Sequence, residues 1–460
     1  MTRLKRKMKK IHFVGVGGIG MSGLAELLAV QGFEITGSDM ESSQITMRLN
    51  DLGCEIWKGH DSGHLVDADA VVFSSAIDQD NVEILEAKKR GIPVIRRAEM
   101  LAELMRLKEG IAIGGTHGKT TTTSLIGHLV TAAGLDPTVI VGGVLRGLGT
   151  NARLGGGELL IAEADEYDRS FLKLTPTLAV ITALEEEHLD TYGTYENLQE
   201  AFINFANSVP FYGMVIICCD DPNLTEILPE ISRPVMTYGF SPHADLRGDK
   251  IHLADISRCE VYHDGQQLGT MEIPIPGKHN LSNALAAVAV ARELEIPFEK
   301  ISEAFKSFEG VKRRFELRGS VKGINIYDDY AHHPTEVSMT LNAAKKVAKN
   351  RIVAVFQPHL YSRTQAFSTE FAQSLMVSDL LIVTDIYPAR EKPIEGVNAG
   401  IIVDKIKQYG HKNIHYVPNR EDIAQFLVRL LEEGDTVITL GAGNIYQASD
   451  ELLSLLGEGN

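Results

Sequence analysis

The sequence is short of positive charge: 45 lysines and arginines stand against 61 aspartates and glutamates, a net charge of −16 over 460 residues. A surface of that sign repels nucleic acid and anionic membranes, which excludes both as principal partners. Cysteine is scarce too. Cys54, Cys218, Cys219 and Cys259 show neither C-x-x-C nor metal spacing, so a zinc module and a disulfide framework are excluded and core thiols in a reducing cytoplasm remain. No apolar run is long enough to span a bilayer. The basic start is followed at once by Gly15, Gly17, Gly18 and Gly20, so the apolar core of a signal peptide is missing. What is left is a cytoplasmic globular chain, 44% hydrophobic and 23% charged, long enough for about three domains on a ~150-residue prior.

Against those absences stands one stretch, Ile111-Ala-Ile-Gly-Gly-Thr-His-Gly-Lys-Thr-Thr-Thr-Thr123. A short apolar run reads as a strand, the glycines as a turn, and the residues from Lys119 as the start of a helix. That order makes a phosphate cradle: glycine amides converge on an anion, the helix turns its positive end toward it, and Lys119 adds a full charge. Thr120 follows, where a hydroxyl ligates Mg2+. The spacing Gly115-x-x-Gly118-Lys119-Thr120 is two residues shorter than the common phosphate-loop pattern. The bland alternative, a glycine turn capping a core helix, leaves Lys119 and four consecutive threonines unexplained.

A second glycine loop lies upstream. Residues 10–14 read as a strand, Gly15-Val-Gly-Gly-Ile-Gly20 as the turn into a helix, and a strand at 33–37 leads to Asp39, whose carboxylate can accept ribose or base hydrogen bonds. This fingerprint fits NAD and equally another nucleotide diphosphate. Residues 71–75 and 92–95 read as further strands, so residues 1–107 form one doubly wound α/β unit.

Residues 108–312 read as a second unit. Apolar runs at 138–141, 158–162, 177–182 and 214–218 suit a parallel sheet buried on both faces. The acids that follow two of them, Glu163-Ala-Asp-Glu-Tyr-Asp168 and Glu185-Glu-Glu-His188, fall on the phosphate-loop edge. Glu163 and His188, first out of their strands, are candidate ligands of a hard cation. Asp165, Glu166 and Asp168 read equally as site acids and as solvated loop. Turn signals such as His263-Asp-Gly265 predict antiparallel strands appended from about residue 237 to 275. Asn280 and Asn283 carry the donor–acceptor pair that suits adenine, and equally the habit of helix caps.

Lys312-Arg-Arg-Phe315 marks the junction with a third unit, and its arginines either reach bound phosphates or are solvated. Residues 313–460 again alternate strands and helices, with polar loops at 327–334, 356–363, 385–392 and 440–444. His332, His333, His359, Arg363 and Arg390 on those loops suit a small zwitterion or its carboxylate.

These blocks occur together and in order. Gly15-Val-Gly-Gly-Ile-Gly-Met-Ser-Gly23, Gly115-Thr-His-Gly-Lys-Thr120, Glu163-Ala-Asp-Glu166, Glu187-His-Leu-Asp-Thr-Tyr-Gly193, His279-Asn-Leu-Ser-Asn283, Asp328-Asp-Tyr-Ala-His-His-Pro334 and Phe356-Gln-Pro-His359 resemble the Mur ligases of peptidoglycan synthesis. The resemblance runs along the whole chain. It implies an α/β fold of three domains: a Rossmann-like UDP-sugar-binding domain at 1–107, a central P-loop ATP-binding domain at 108–312 with a parallel sheet plus a small antiparallel sheet, and a Rossmann-like amino-acid-binding domain at 313–460. It also implies an ATP-dependent ligase. A carboxylate attacks the γ-phosphate to give an acyl phosphate and ADP, and an amine then displaces phosphate. The loop from Phe356 to Thr364 favours the member that joins L-alanine to UDP-N-acetylmuramate over the one that recycles a ready-made tripeptide.

By the family pattern, catalysis falls to Lys119, Glu163, His188, Arg314 and Asp329. ATP is assigned to Gly115, Thr116, His117, Gly118, Lys119, Thr120 and Thr121, with Asn280, Asn283, Arg314 and Asp329. The UDP-sugar is assigned to Gly17, Gly18, Ile19, Gly20, Met21, Ser22, Asp39, Ser74 and Ser75, and alanine to Tyr330, His332, His359 and Arg363. Mg2+ is expected on Thr120 and Glu163, with a second ion at His188, and His332 is the candidate amine base. The assembly is expected to be a monomer or a homodimer. Two departures stand out. Several members carry a carbamylated lysine that bridges the metals, but no lysine occurs here between Lys173 and Lys250, which leaves Glu196 or Glu200 as substitutes. Leu360 stands where some alanine-adding members have arginine.

Two other classes account for less. An NAD-dependent oxidoreductase uses the Gly15 loop but gives no role to Lys119 or Glu163. A nucleotide-switch protein uses Lys119 but not the polar loops of the third unit.

Overall fold

The computed structural model describes residues 7–74, 76–143, 152–167, 169–389 and 391–458. Ser75, Asp168 and Arg390, singled out above, lie outside the described residues, as does the side chain of Ile19. The chain divides into two compact units, one comprising residues 1–249, 260–271 and 282–309, the other 250–259, 272–281 and 310–460.

The first unit begins with β1 (Lys10–Val14), β2 (Glu34–Asp39), β3 (Glu55–Lys58), β4 (Ala70–Phe73) and β5 (Val94–Arg96), in the order β3-β2-β1-β4-β5. All four pairings are parallel. Strand order reverses between β1 and β4, so the glycine loop after β1 opens at the switch point where such sheets bind ligands. Edge strand β3, Glu-Ile-Trp-Lys, has exposed ends and half-buried middle residues, and for that reason left no apolar run to read.

The second sheet contains β6 (Glu109–Gly114), β7 (Thr138–Ile140), β8 (Ala152–Arg153), β9 (Leu159–Glu163), β10 (Leu178–Ile181), β11 (Met214–Cys218), β12 (Val235–Gly239), β13 (Leu246–His252), β14 (Ser257–His263) and β15 (Gln266–Ile273). Its order is β15-β14-β13-β12-β11-β10-β6-β9-β7-β8. From β7 to β12 the pairings are parallel and the central strands are buried along their length, as apolar runs between crossover helices require. Parallel pairing extends one strand further than the turn signals suggested, since Tyr238 pairs with Leu246 in parallel on β13. The Asp264–Gly265 turn does link β14 to β15, with both residues at positive φ.

In the second unit β16 (Glu316–Val321), β17 (Ile324–Asp329), β18 (Ile352–Phe356), β19 (Leu380–Val383), β20 (Ile414–Tyr416) and β21 (Thr436–Leu440) form a sheet ordered β16-β17-β21-β18-β19-β20. Only the β16–β17 pair is antiparallel. Alternation along β18 feeds two cores: Ala354 and Phe356 pack on one face with Phe371 and Ile402, Val353 and Val355 on the other with Ile423 and Leu452. The polar loops therefore leave the sheet together at its carboxyl edge. Among the described residues no helix is long and apolar enough to cross a membrane, and the four cysteines are free thiols, three of them buried.

Candidate active site

Strand β6 ends at Gly114, and the chain must turn sharply under β10 to start the helix Lys119–Ala132. Gly115 sits at φ +133, and a Cβ there would run into Thr182 Oγ1 and lie 2.9 Å from the Ala183 amide. Gly118 caps the helix at φ +81, a region open to glycine and costly for L side chains. A Cβ on Gly118 would lie 2.7 Å from Asn283 Oδ1, which puts Asn283 against the loop. The loop is pinned from the β10 side: the Thr116 amide donates to Ala183 O at 3.0 Å, Thr182 donates to His117 O, and His117 Nε2 lies 3.2 Å from Glu185. The first helical bond runs from the Thr122 amide to Gly118 O, so the amides of Lys119, Thr120 and Thr121 have no helical acceptor and are available to an anion.

Lys119 does not point into solvent. Its ammonium donates to Gly115 O at 2.6 Å and to both oxygens of Glu166 at 2.8 Å. Burial, the largest single influence, would depress the lysine, but the combined pull of Glu166, Asp165 and Glu187 outweighs it and raises its pKa; Glu166 is itself raised by burial, against the pull of Lys119. Glu166 is 1% exposed, so the solvated-loop reading of this acid is set aside. Thr120 donates to Glu163 Oε2 at 3.3 Å, and Glu163 Oε1 accepts from the Gly142 amide at 2.7 Å.

His188 approaches the same acid that holds Lys119, with Nε2 3.7 Å from Glu166 and 3.9 Å from Glu187. The ligand atoms of Glu166, Glu187 and His188 all fall within 4.8 Å of one another. Glu196 and Glu200 are exposed and belong to no such cluster among the described residues. The threonine run is only partly a site feature: Thr121 is buried, while Thr122 and Thr123 are in the core and Thr123 donates back to Lys119 O at 2.8 Å.

At the upstream loop the Gly17 amide donates to Asp39 Oδ2 at 2.8 Å, and a Cβ on Gly17 would lie 2.8 Å from the same oxygen. Asp39 also accepts from the Glu41 amide at 3.1 Å, so it shapes the loop as well as facing it. Ser74 Oγ lies beside Gly15, 3.6 Å from where a Cβ would stand. Met21 and Ser22 are buried in the helix Ile19–Val30, so backbone is what they offer a ligand. Arg97 was not anticipated. Its side chain crosses Gly20 and reaches to 3.9 Å from Asp165.

In the second unit Tyr330, His332, His359 and Arg363 come together. The rings of Tyr330 and His332 are 5.3 Å apart and those of His332 and His359 5.8 Å, while Arg363 Nη1 is 3.3 Å from His359 Nδ1. Tyr387, a residue of the 385–392 loop not singled out from the sequence, stacks on His359 at 5.8 Å and 12°. His332 Nδ1 is 3.2 Å from Glu336, and Arg314 lies 3.7 Å from the same acid and over the Tyr330 ring. Asp329 is clamped by the amides of Phe315 and Ala331, both at 2.8 Å, and burial pushes its pKa up to about 6 against the pull of Arg314. Asn280, in the first turn of the helix Lys278–Glu293, donates its side-chain amide to Pro276 O at 2.7 Å and so ties the helix start to the segment before it rather than capping it. Leu360 takes φ +70, rare for a branched residue, where its amide bonds Tyr387 O at 3.0 Å.

Sequence comparison matches residues 10–109 to the family described as Mur ligase family, catalytic domain, residues 113–291 to Mur ligase middle domain, and residues 313–443 to Mur ligase, glutamate ligase domain. The chain is 50% identical over 456 residues to UDP-N-acetylmuramate–L-alanine ligase of Syntrophus aciditrophicus, covering 99% of this chain and 95% of that protein. It is 51% identical over 453 residues to the enzyme of the same name from Salinibacter ruber, covering 98% and 95%. Among solved structures it resembles UDP-N-acetylmuramate-alanine ligase from Thermotoga maritima, with a TM-score of 0.83 at 28% identity over 98% of this chain and 100% of that one. A murein peptide ligase from Psychrobacter arcticus follows at 0.70 and 25%, over 98% and 99%.

Proposed function

The chain belongs to the Mur ligase family, and from that premise we propose that it joins L-alanine to the carboxylate of UDP-N-acetylmuramate, consuming ATP and releasing ADP and phosphate. The observation that carries this reading is half identity to enzymes of that name across nearly the whole length. ATP occupies the loop Gly115–Thr121. There Lys119 exchanges Glu166 for the γ-phosphate and lowers the repulsion between two anions that must meet. Mg2+, when bound, neutralises the same repulsion and the charge that develops in transit.

The donors fit that ion. Thr120 with Glu163, and Glu166 with Glu187 and His188, offer mainly hard oxygens, and the ammonium seated on Glu166 marks a buried carboxylate that needs a cation. Glu166 and Glu187 then take the part for which Glu196 and Glu200 were candidates. The substrate carboxylate oxygen bonds to phosphorus as the bond to ADP breaks, giving an acyl phosphate. Alanine, with its carboxylate on Arg363 and its ammonium near His332, loses a proton and attacks the acyl carbon; as the C–O bond to phosphate breaks, the second proton leaves the nitrogen with the departing phosphate and the amide remains. Glu336 beside His332 supports the imidazole in taking that proton. Arg314 and Asp329 serve the nucleotide side, and the Gly17–Ser22 turn with Asp39, Ser74 and Ser75 holds the UDP-sugar.

The three matched segments support divisions near residues 107 and 312. ATP and UDP-sugars are cytoplasmic metabolites, so the reaction belongs in that compartment, run by a monomer or homodimer. Mass spectrometry of the product tests the assignment. UDP-N-acetylmuramyl-L-alanine is expected from ATP, UDP-N-acetylmuramate and L-alanine, whereas product only with the intact tripeptide would move the enzyme to the recycling class.

A further inference from the structure

The chemistry above gives no task to a polar cluster behind the carboxyl edge of the first sheet. Its centre is Glu83, fully buried in the first turn of the helix Val82–Arg90. Three strands or their following segments converge on its carboxylate. From β1, the equally buried His12 brings Nε2 to 3.6 Å, with its Nδ1 2.9 Å from Thr36 Oγ1 on β2. From β2, Ser38 donates its hydroxyl to Oε2 at 2.5 Å. From the segment after β3, His60 Nδ1 lies 3.2 Å from Oε2 and 2.8 Å from Ser38 Oγ, the Asp61 amide donates to Oε1 at 3.3 Å, and His64 Nδ1 is 2.7 Å from Oε1. Trp57, the single tryptophan of the chain, stacks on His64 with centroids 4.6 Å apart and planes 4° apart.

A buried carboxylate is costly unless it is paired and hydrogen-bonded, and the groups that satisfy this one are not arbitrary. Its contacts end on groups at the ligand edge. Ser38 precedes Asp39, the acid that closes the glycine loop through Gly17, and the Ser38 carbonyl accepts the amides of Gly15 and Val16. His60 keeps 12% of its side chain exposed just past the end of β3. One sealed charge thus sets the strand end that holds the loop and an imidazole beside it.

We propose that Glu83 is a positioning residue for the UDP-sugar: its carboxylate fixes Ser38 and His60 at the carboxyl edge of the first sheet, and Trp57 on His64 reports the state of that cluster. The proposal rests on reading this edge as the UDP-sugar site. Its test is steady-state kinetics of the full chain with all three substrates. In Glu83→Gln the KM for UDP-N-acetylmuramate rises about tenfold or more, the size expected for a lost charge-assisted hydrogen bond, while kcat and the KM for ATP and L-alanine stay within about twofold.

His60→Gln, at a partly exposed position, carries the same signature without disturbing the core, so the test survives a Glu83 variant that does not fold. UDP-N-acetylmuramate alone changes Trp57 emission in the unaltered chain, and in His60→Gln that change needs about tenfold more ligand. Asp39→Ala marks the edge itself. A raised UDP-sugar KM in Asp39→Ala beside normal values in Glu83→Gln and His60→Gln overturns the proposal and leaves the site reading intact. Normal values in all three overturn both, and an equal rise in the KM of all three substrates overturns the positioning role.

Discussion

Both glycine loops of the first unit follow a parallel strand and open a helix, yet they are closed in opposite ways. Upstream, an acid closes the loop: Asp39 holds the Gly17 amide, and the cap Gly18 stays at an ordinary φ of −65. Downstream, a base closes it: Lys119 spans Gly115 O and Glu166, and Gly118 caps the helix at φ +81. A loop closed by an acid presents amides to a diphosphate and borrows positive charge from outside, here from Arg97 over Gly20. A loop closed by a lysine on a buried carboxylate holds a charge that can be handed to a phosphate in transit. On the proposed function, the first loop binds and the second reacts.

The largest effect should come from removing the reacting charge. Lys119→Ala is expected to lower turnover by about 10²–10³-fold or more, with the UDP-sugar dissociation constant unchanged; calorimetry showing both lost together would erase the distinction between the loops. Next comes the support beneath the binding loop. Burial alone would raise the pKa of Glu83, but its contacts with His12, Ser38 and His64 hold it at about 2, against an ordinary 4.5. The carboxylate therefore stabilises the fold above pH 4.5 and loses that contribution as pH falls through 2. The difference is worth about 3 kcal/mol, and Glu83→Gln should flatten acid unfolding over that window. Circular dichroism that finds the same acid midpoint in both chains would contradict it.

Smaller again, Gly17→Ala drives a methyl to within 2.8 Å of Asp39 and should raise the UDP-sugar KM about tenfold with ATP kinetics intact. The smallest lies in the second unit, where a Cβ on Gly443 would stand 2.6 Å from Tyr387 Cγ and run into Gln357 Oε1. Gly443→Ala should push Tyr387 against His359 and raise the KM for alanine by about threefold to tenfold. An unchanged alanine KM would remove Tyr387 from the pocket wall.

What was legible in the sequence follows from the kind of constraint. The phosphate loop could be read because backbone geometry demands glycine at Gly115 and Gly118, and because a lysine and a threonine have few other reasons to follow them. Buried parallel strands could be read from apolar runs. Partnerships across distant segments could not. Glu83 meets His12, Ser38, His60 and His64 only after β1, β2, β3 and β4 have paired, and nothing local distinguishes it from a surface glutamate in a first helical turn. Arg97 and Tyr387 likewise owe their roles to what they pack against. Glu166 stood undecided between site and solvent, and burial with Lys119 decided it. Asp39 was read as a ligand group, and its bond to Gly17 adds a structural duty that spacing does not show.

The central claim is that the carboxylate of UDP-N-acetylmuramate, not water or alanine, attacks the γ-phosphate held at Lys119. Oxygen transfer tests it most directly. With the carboxylate labelled by ¹⁸O, turnover with ATP and L-alanine should carry a labelled oxygen into the released phosphate, and Lys119→Ala should release little of either. Unlabelled phosphate formed alongside the amide product would contradict the acyl-phosphate route and the role assigned to the loop.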